Sequence, residues 1–272
     1  MTKKRVLFVT QEMNPYTTIS EISDVVKSLA PYVHGKGMEV RVLMPKYGNI
    51  NERRHRLHEV VRLSGMNIIV DDDDFPLIIK VASLPGARLQ VYFLENEEFF
   101  KRKFVFKDED GKAFDDNQER MVFFCKGVIE TVKKFGWAPD IIHCHGWMSS
   151  LVPFYLKSVY QNDPIFENSK IVYSAYKNEF EKTFNKRFLE IAAINNLEPE
   201  DLDAFKDKSK IKLLRGGMKY ADAVVKGTDS LLKDEQTFYD GSDLPKMDYF
   251  NLEEINEQML PFYKGLLETD SE

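Results

Sequence analysis

The sequence predicts an α/β protein built on a mostly parallel sheet with helices on both faces. Three observations carry this. Short apolar runs at 5–10, 39–44, 141–142 and 170–175 read as buried strands. Amphipathic helical stretches alternate with those runs. The first unit, a strand, a helix and a second strand within residues 5–44, is a βαβ crossover, which implies parallel pairing and a Rossmann-like sheet.

The elements follow in order. Arg5 to Thr10 is a strand, and Gln11 to Thr18 is a loop broken at Pro15. Ser20 to His34 reads as a helix with Ile22, Val25, Val26 and Leu29 on one face, Ser20 as its N-cap, and Gly35 and Gly37 ending it. Glu39 to Met44 is the second strand. Residues 51–65 carry Arg53, Arg54, His55, Arg56, His58 and Arg62. Such a patch either holds phosphates or acidic partners or is a solvated face. Asp71 to Asp74 lacks the glycine turn and distal glutamate of a calcium loop and reads as a hairpin turn. Leu77 to Leu84 and Leu89 to Leu94 read as an antiparallel pair added to the sheet, with Pro85-Gly86 between them. Phe99 to Phe106 is aromatic and basic, a pattern of core packing or of sugar stacking.

The clearest helix spans Asp116 to Phe135. It has Asp116 as cap, Glu119 three residues on as in a capping box, an apolar face of Val122, Phe123, Cys125, Val128, Ile129 and Val132, and a stop at Gly136. The central strand and a helix over Trp147 to Val159 come next, then a strand at Lys170 to Ala175. Helices are predicted at Glu179 to Asn196, from Pro199, at Lys210 to Tyr220 and at Asp229 to Gln236, with a strand at Asp222 to Lys226. The expected division is a domain over 1–236, a linker over 237–250, and a C-terminal helix within 251–272 packed back on the domain.

Composition narrows the function classes. The chain has 272 residues, 43% hydrophobic and 30% charged, as in an ordinary globular protein of one large or two small domains. A net charge of -6 gives no basis for nucleic-acid binding. No apolar run approaches the roughly 20 residues of a membrane span. No signal-peptide pattern precedes the first strand, and Cys125 and Cys144 read as reduced thiols, so a cytoplasmic protein is expected.

The chemistry concentrates in Pro139-Asp140-Ile141-Ile142-His143-Cys144-His145-Gly146-Trp147. A buried strand ending in polar groups and turning at glycine into a helix is where open α/β sheets place ligands. His143 and His145 point to the same side of an extended chain. Either one alone can equally be a structural histidine at a strand end. Two histidines and a cysteine fall short of a zinc set, so no metal is expected.

This segment resembles the PDIIHCHDW-type element of bacterial glycogen synthases and plant starch synthases, glycosyltransferase family 5. Further segments resemble that family in order: Arg5 to Glu12 its first strand and loop, Met44 to Ile50 its MPRYGNI-like element, Val91 to Leu94 and Asp115 to Arg120 its YFIDN…DN.ERF region, and Leu213 to Val224 its LMKGGIEYADAV segment. The resemblance covers residues 4–236, the family's N-terminal half. It implies one half of a GT-B enzyme that transfers glucose from ADP-glucose, or UDP-glucose, to an α-1,4-glucan with retention. No cofactor, nucleic-acid or membrane partner is implied. Carried over by position, His145 and Tyr176 are the candidate catalytic residues. Thr18, Glu21, Tyr47, Asn117, Arg120, His143 and Trp147 are the candidate substrate-binding residues.

Several positions depart from the family. Its Lys-Thr-Gly-Gly loop corresponds to Thr18-Ile19-Ser20-Glu21, which removes a cation and two glycines and adds a carboxylate where a diphosphate lies. One charge-assisted hydrogen bond is worth roughly 1.5–3 kcal/mol, or about 10- to 100-fold in rate. Gly146 stands where the family has an acidic residue, and Tyr176 where it has a histidine that bonds the transferring sugar. The family's donor half has no counterpart within the resemblance. Two expectations follow: a glucosyltransferase completed by a separate donor-domain chain or a homodimer, or a non-catalytic module that binds α-glucan or a partner enzyme.

Overall fold

The computed structural model describes residues 3–178 and 180–268. Strand β1 (Arg5–Thr10), helix α1 (Ile22–Gly35) and strand β2 (Glu39–Pro45) form the expected crossover. After a short α2 (Glu52–His55) and β3 (His58–Glu59) come β4 (Met66–Val70), β5 (Asp73–Ser83), β6 (Gln90–Glu95) and α3 (Glu97–Phe100). Then follow α4 (Asn117–Phe135), β7 (Ile141–His145), α5 (Leu151–Lys157), β8 (Lys170–Ala175) and α6 (Arg187–Ala192). The chain continues through a small hairpin of β9 (Lys206–Asp207) and β10 (Lys210–Ile211), then α7 (Leu213–Lys219), β11 (Ala223–Lys226), α8 (Lys233–Asp240), β12 (Lys246–Met247) and α9 (Ile255–Glu268).

Among the described residues the main sheet runs β12-β11-β8-β7-β1-β2-β6-β5-β3, with β4 also on β5. Neighbours are parallel from β12 to β6; β5 is antiparallel to β6, β3 and β4. The predicted pair is therefore present as β5 and β6, and the expected turn at Asp71, at φ 57°, joins β4 to β5. From β1 the chain steps outward through β2 and β6, then returns and steps the other way through β7, β8 and β11. Strand order reverses between β1 and β7, where Phe8 lies beside His143 and Thr10 beside His145. Helix α4 packs with α5 and α6, and α1 packs with α9. Helix α4 ends as its sequence demands, with Gly136 left-handed at φ 61°.

Several elements differ from expectation for local reasons. Ser20 does not cap α1: Glu21 holds that position, and the Ser20 hydroxyl donates to Glu12. The box on α4 does not form, because Asp116 pairs with Arg102 and Glu119 with Arg187. The helix expected from Trp147 breaks into a 3-10 turn, Trp147–Ser149, and α5. The Ser149 and Ser150 hydroxyls bond the carbonyls of Gly146 and Trp147, and Pro153 fits only a first turn. The helix expected over 179–196 shrinks to a turn at Glu181–Thr183 and to α6, which begins where Asn185 accepts from the Arg187 amide; Glu179 lies outside the described residues. Residues 210–211 are a strand before α7, and the helix expected from 229 begins at Lys233. The 237–250 segment, expected as a linker, carries the end of α8 and the strand β12, which extends the sheet beside β11. Helix α9 buries Ile255, Met259, Tyr263 and Leu266, and Asn256 bonds Ser28 on α1. The basic stretch after Asn51 forms α2 and β3 at the sheet edge. No helix among the described residues is long and apolar enough to cross a membrane.

Candidate functional site

The carboxyl ends of β1, β7 and β8 meet at the strand reversal, the place where open α/β sheets leave a crevice. A cleft of about 660 Å³ lies there. Its walls are Gln11, the loop 18–22, the segment 104–109, Gly146 and Trp147, and residues 176–178 with Phe180. Thr18, Glu21, Trp147 and Tyr176 thus come together as the sequence suggested.

The two histidines diverge. His143 is fully buried, with Nδ1 2.5 Å from the Tyr263 hydroxyl and Nε2 2.7 Å from Ser174 Oγ. Both nitrogens are satisfied, and His143 does not line the cleft. His145 is also fully buried; its Nδ1 lies 3.1 Å from the Tyr176 hydroxyl, and Nε2 has no partner among the described residues. Burial holds His143 well below the ordinary histidine range and pushes His145 down to about 3. Both rings are neutral at pH 7. Burial likewise raises the Tyr176 phenol, which stays protonated.

The loop between β1 and α1 is organised from within. Glu12 is fully buried, and its carboxylate accepts from the Ile19 amide at 2.5 Å, the Ser20 amide at 2.8 Å and the Ser20 hydroxyl at 2.6 Å. Burial raises its pKa and these hydrogen bonds oppose the rise. Two consecutive backbone N–H groups, the kind of nest that holds anions, are therefore already filled by the protein's own carboxylate. Gly146 is left-handed at φ 79°, and a Cβ there would lie 2.4 Å from Gln11 Oε1 and 2.9 Å from Ile22 Cδ1. Gln11 occupies the space that an acidic side chain at 146 would need.

One cleft wall is aromatic. Trp147 packs on Phe106 at 4.9 Å, Phe180 at 5.6 Å and Phe184 at 5.6 Å between ring centres, and is 4% exposed. Trp147 belongs to the wall's core, and Phe104 is its exposed ring. Tyr47, Asn117 and Arg120 lie beneath this wall and do not line the cleft. Tyr47 packs edge-on against Phe100 and Phe106, and its hydroxyl bonds Met148. Arg120, fully buried, donates to the carbonyls of Phe99 and Val105 and to Asn117 Oδ1, each at 2.7 Å. It anchors both ends of the 99–106 segment. Burial pushes its guanidinium down to about 10, still charged at neutral pH.

Some of the unpartnered buried polar atoms lie at the cleft, and others, on His34, Gln118 and Asn256 among them, lie elsewhere. Gln11 Oε1, Trp147 Nε1 and Asn178 Nδ2 in the cleft walls, and His145 Nε2 behind Gly146, are buried without partners among the described residues. Buried polar groups normally have partners, so these are open hydrogen-bonding positions in and beside the cleft. Sequence reasoning missed Gln11, Glu12, Asn178, Ser174 and Tyr263. Asn178 sits two residues after Tyr176 in the segment already singled out, a usable signal. Tyr263 is 120 positions from His143, and nothing local announces it. Among the described residues no three His, Cys, Asp or Glu side chains are grouped to hold a metal ion.

A family model described as starch synthase catalytic domain matches residues 5–247. The glycogen synthase of Chlorobium limicola is 34% identical over 266 residues, covering 97% of this chain and 52% of the relative. That of Chlorobaculum tepidum is 37% identical over 227 residues, covering 83% and 46%. The catalytic domain of starch synthase IV from Arabidopsis thaliana, solved bound to ADP and acarbose, shares the fold at a TM-score of 0.70 and 20% identity, over 84% of this chain and 45% of that one. The chain spans about half the length of the curated relatives it matches. By motif, by fold and by similarity over nearly its whole length, the chain belongs to the starch synthase catalytic-domain family.

Proposed function

We propose that the chain is a glycogen/starch synthase-like protein of α-glucan biosynthesis, and that its cleft holds the end of an α-1,4-glucan during glucosyl transfer from a nucleotide-glucose. The observation that carries this is the set of unpartnered neutral groups, Gln11 Oε1, Trp147 Nε1, Asn178 Nδ2 and His145 Nε2, beside an aromatic wall with Phe104 exposed. Sugar hydroxyls both donate and accept, and sugar faces stack on aromatic rings. His145 and Tyr176 would touch or support the transferring sugar, with Thr18 and Glu21 at the rim.

Charge supports a glucan over a diphosphate in this cleft. Its described walls carry Lys107 and Lys177 against Glu21, Asp108 and Glu109, and the loop amides are engaged by Glu12. A leaving diphosphate needs fixed cations and free N–H donors. Those would come from another surface: a separate donor-domain chain, or a second copy of this one. The test is glucose incorporation into glycogen from ADP-glucose or UDP-glucose by the purified chain, against a His145→Ala control, with co-sedimentation on glycogen in parallel. Incorporation above control supports transfer by this chain alone. Co-sedimentation without incorporation supports an acceptor-side half that needs a donor partner. Loss of both sinks the reading.

A further inference from the structure

Beside the cleft lies a second cavity, of about 390 Å³. Its polar walls are Asn178, Lys182, Ser209, Lys210 and Lys212, and Phe184 and Ile211 give it an apolar floor. Separate stretches of chain build it: the segment after β8, the 3-10 turn at Glu181–Thr183, the strand β10 packed against that turn, and Lys212 at the start of α7.

Charge sets this cavity apart. Among the described residues three lysines line it and no carboxylate does, in a chain whose net charge is -6. The cleft walls, by contrast, carry Glu21, Asp108 and Glu109 with their lysines. Lys212 lies 3.5 Å from Asp234, and Asp207 stands opposite Lys210 across the hairpin, but both aspartates line a different cavity. Lys182 and Lys210 are exposed and have no ion pair among the described residues. A second observation points the same way. Asn178 is 5% exposed, its Oδ1 accepts from the Phe180 amide at 2.9 Å, and its Nδ2 has no partner among the described residues. The bond from an N–H fixes which end of the amide is oxygen, so the open end is a donor. An open donor set among lysines is complementary to the oxygens of an anion.

We infer that this cavity is a binding site for a phosphate monoester carried by a sugar, with Lys182 and Lys210 holding the phosphate from the rim and Lys212 and Asn178 from within.

The phosphate part follows from the cations. Lysine ammonium groups hold phosphate as point charges, and a phosphate monoester carries about -1.5 to -2 at pH 7, a better match to three lysines than a singly charged carboxylate. The cavity shares no lining residue with the loop after β1, so it is a different place from the nest that Glu12 fills. The sugar part rests on the glucan reading of the cleft. Asn178 lines both cavities, and Phe184, on the floor of this one, packs on Trp147 of the cleft wall at 5.6 Å. A phosphate seated among the lysines therefore leaves its sugar beside the cleft. Two sources share this chemistry, a free sugar phosphate and a phosphorylated glucan.

The test is a titration of nitrogen-labelled protein followed by backbone amide shifts. The probes are inorganic phosphate, glucose 6-phosphate, a phosphorylated malto-oligosaccharide and the same oligosaccharide without phosphate. Inorganic phosphate is expected to move the amides of Lys182 and of Ser209 to Lys212 in a saturable way. Lys182→Gln and Lys210→Gln, both at exposed positions, should each weaken that binding about fivefold. Added salt should weaken it too and leave the uncharged oligosaccharide unaffected. Both sugar-bearing phosphates should bind more tightly than inorganic phosphate, and the tighter of the two identifies the carrier. Absence of saturable shifts at these amides, or shifts indifferent to both substitutions, overturns the proposal. Sugar phosphates that bind no more tightly than inorganic phosphate overturn its sugar part. Phosphate binding that persists while the plain oligosaccharide fails to bind sinks the glucan reading and leaves the phosphate site standing.

Discussion

His143 and His145 stand two positions apart on one strand face and have separate uses. His143 is a structural histidine with both nitrogens engaged, and His145 keeps one nitrogen open. Both are neutral in the fold, while the unfolded chain titrates them near 6.5. Their folded pKa values lie below the unfolded ones, so the unfolded state binds more protons as pH falls below 6.5. Stability is therefore expected to drop as pH falls below 6.5, by about 1.4 kcal/mol per pH unit for each ring that stays neutral in the fold. Urea melts at pH 7, 6 and 5 check this, and His145→Gln should remove about half of the slope. Gly146 tests the departure from the family pattern. Gly146→Asp should cost about 1–2 kcal/mol for the left-handed backbone alone. Gln11→Ala in the same chain should recover the steric part of any further loss and not the backbone part, a coupling that a double-mutant cycle measures.

At the scale of elements, the segment over residues 99–106 is a cleft wall held by one buried cation. Arg120→Met leaves the Phe99 and Val105 carbonyls and Asn117 without their donor. It should destabilise the fold by about 3–5 kcal/mol in urea melts. Arg120→Lys should not restore it, since one ammonium cannot span the fork. The same wall separates packing from binding. Trp147→Ala is expected to lose about 3–5 kcal/mol of stability, because Trp147 is 4% exposed. Phe104→Ala should leave stability within about 0.5 kcal/mol and weaken malto-oligosaccharide binding about fivefold, near 1 kcal/mol, as calorimetric titration would show. An aromatic run in a sequence does not say which ring faces solvent; here most of the rings turn inward and Phe104 turns out.

At the scale of the whole molecule, the last helix reaches back to the first crossover and to the strand reversal. Helix α9 lies on α1, and its Tyr263 bonds His143. Deleting residues 251–272 should uncover His143 and the apolar face of α1. The outcome should be a lowered Tm and the appearance of a titrating histidine by NMR. The folded chain thus sets a cleft with an aromatic wall and charges of both signs beside a loop whose amides are already occupied by Glu12.

The sequence by itself determined the α/β class, the first crossover, the strand at Ile141–His145 and the family, because apolar periodicity and short motifs are local properties. It also brought Thr18, Glu21, Trp147 and Tyr176 to one cleft, since each follows a strand end that a parallel sheet must gather on one side. Tertiary structure decided the rest. Whether His143 or His145 stays open depends on Tyr263, far along the chain; whether Arg120 binds a ligand or a loop depends on which carbonyls fold over it; whether Gly146 leaves space depends on Gln11 filling it. Those outcomes are set by burial and by long-range hydrogen-bond partners, which no local pattern of residues encodes.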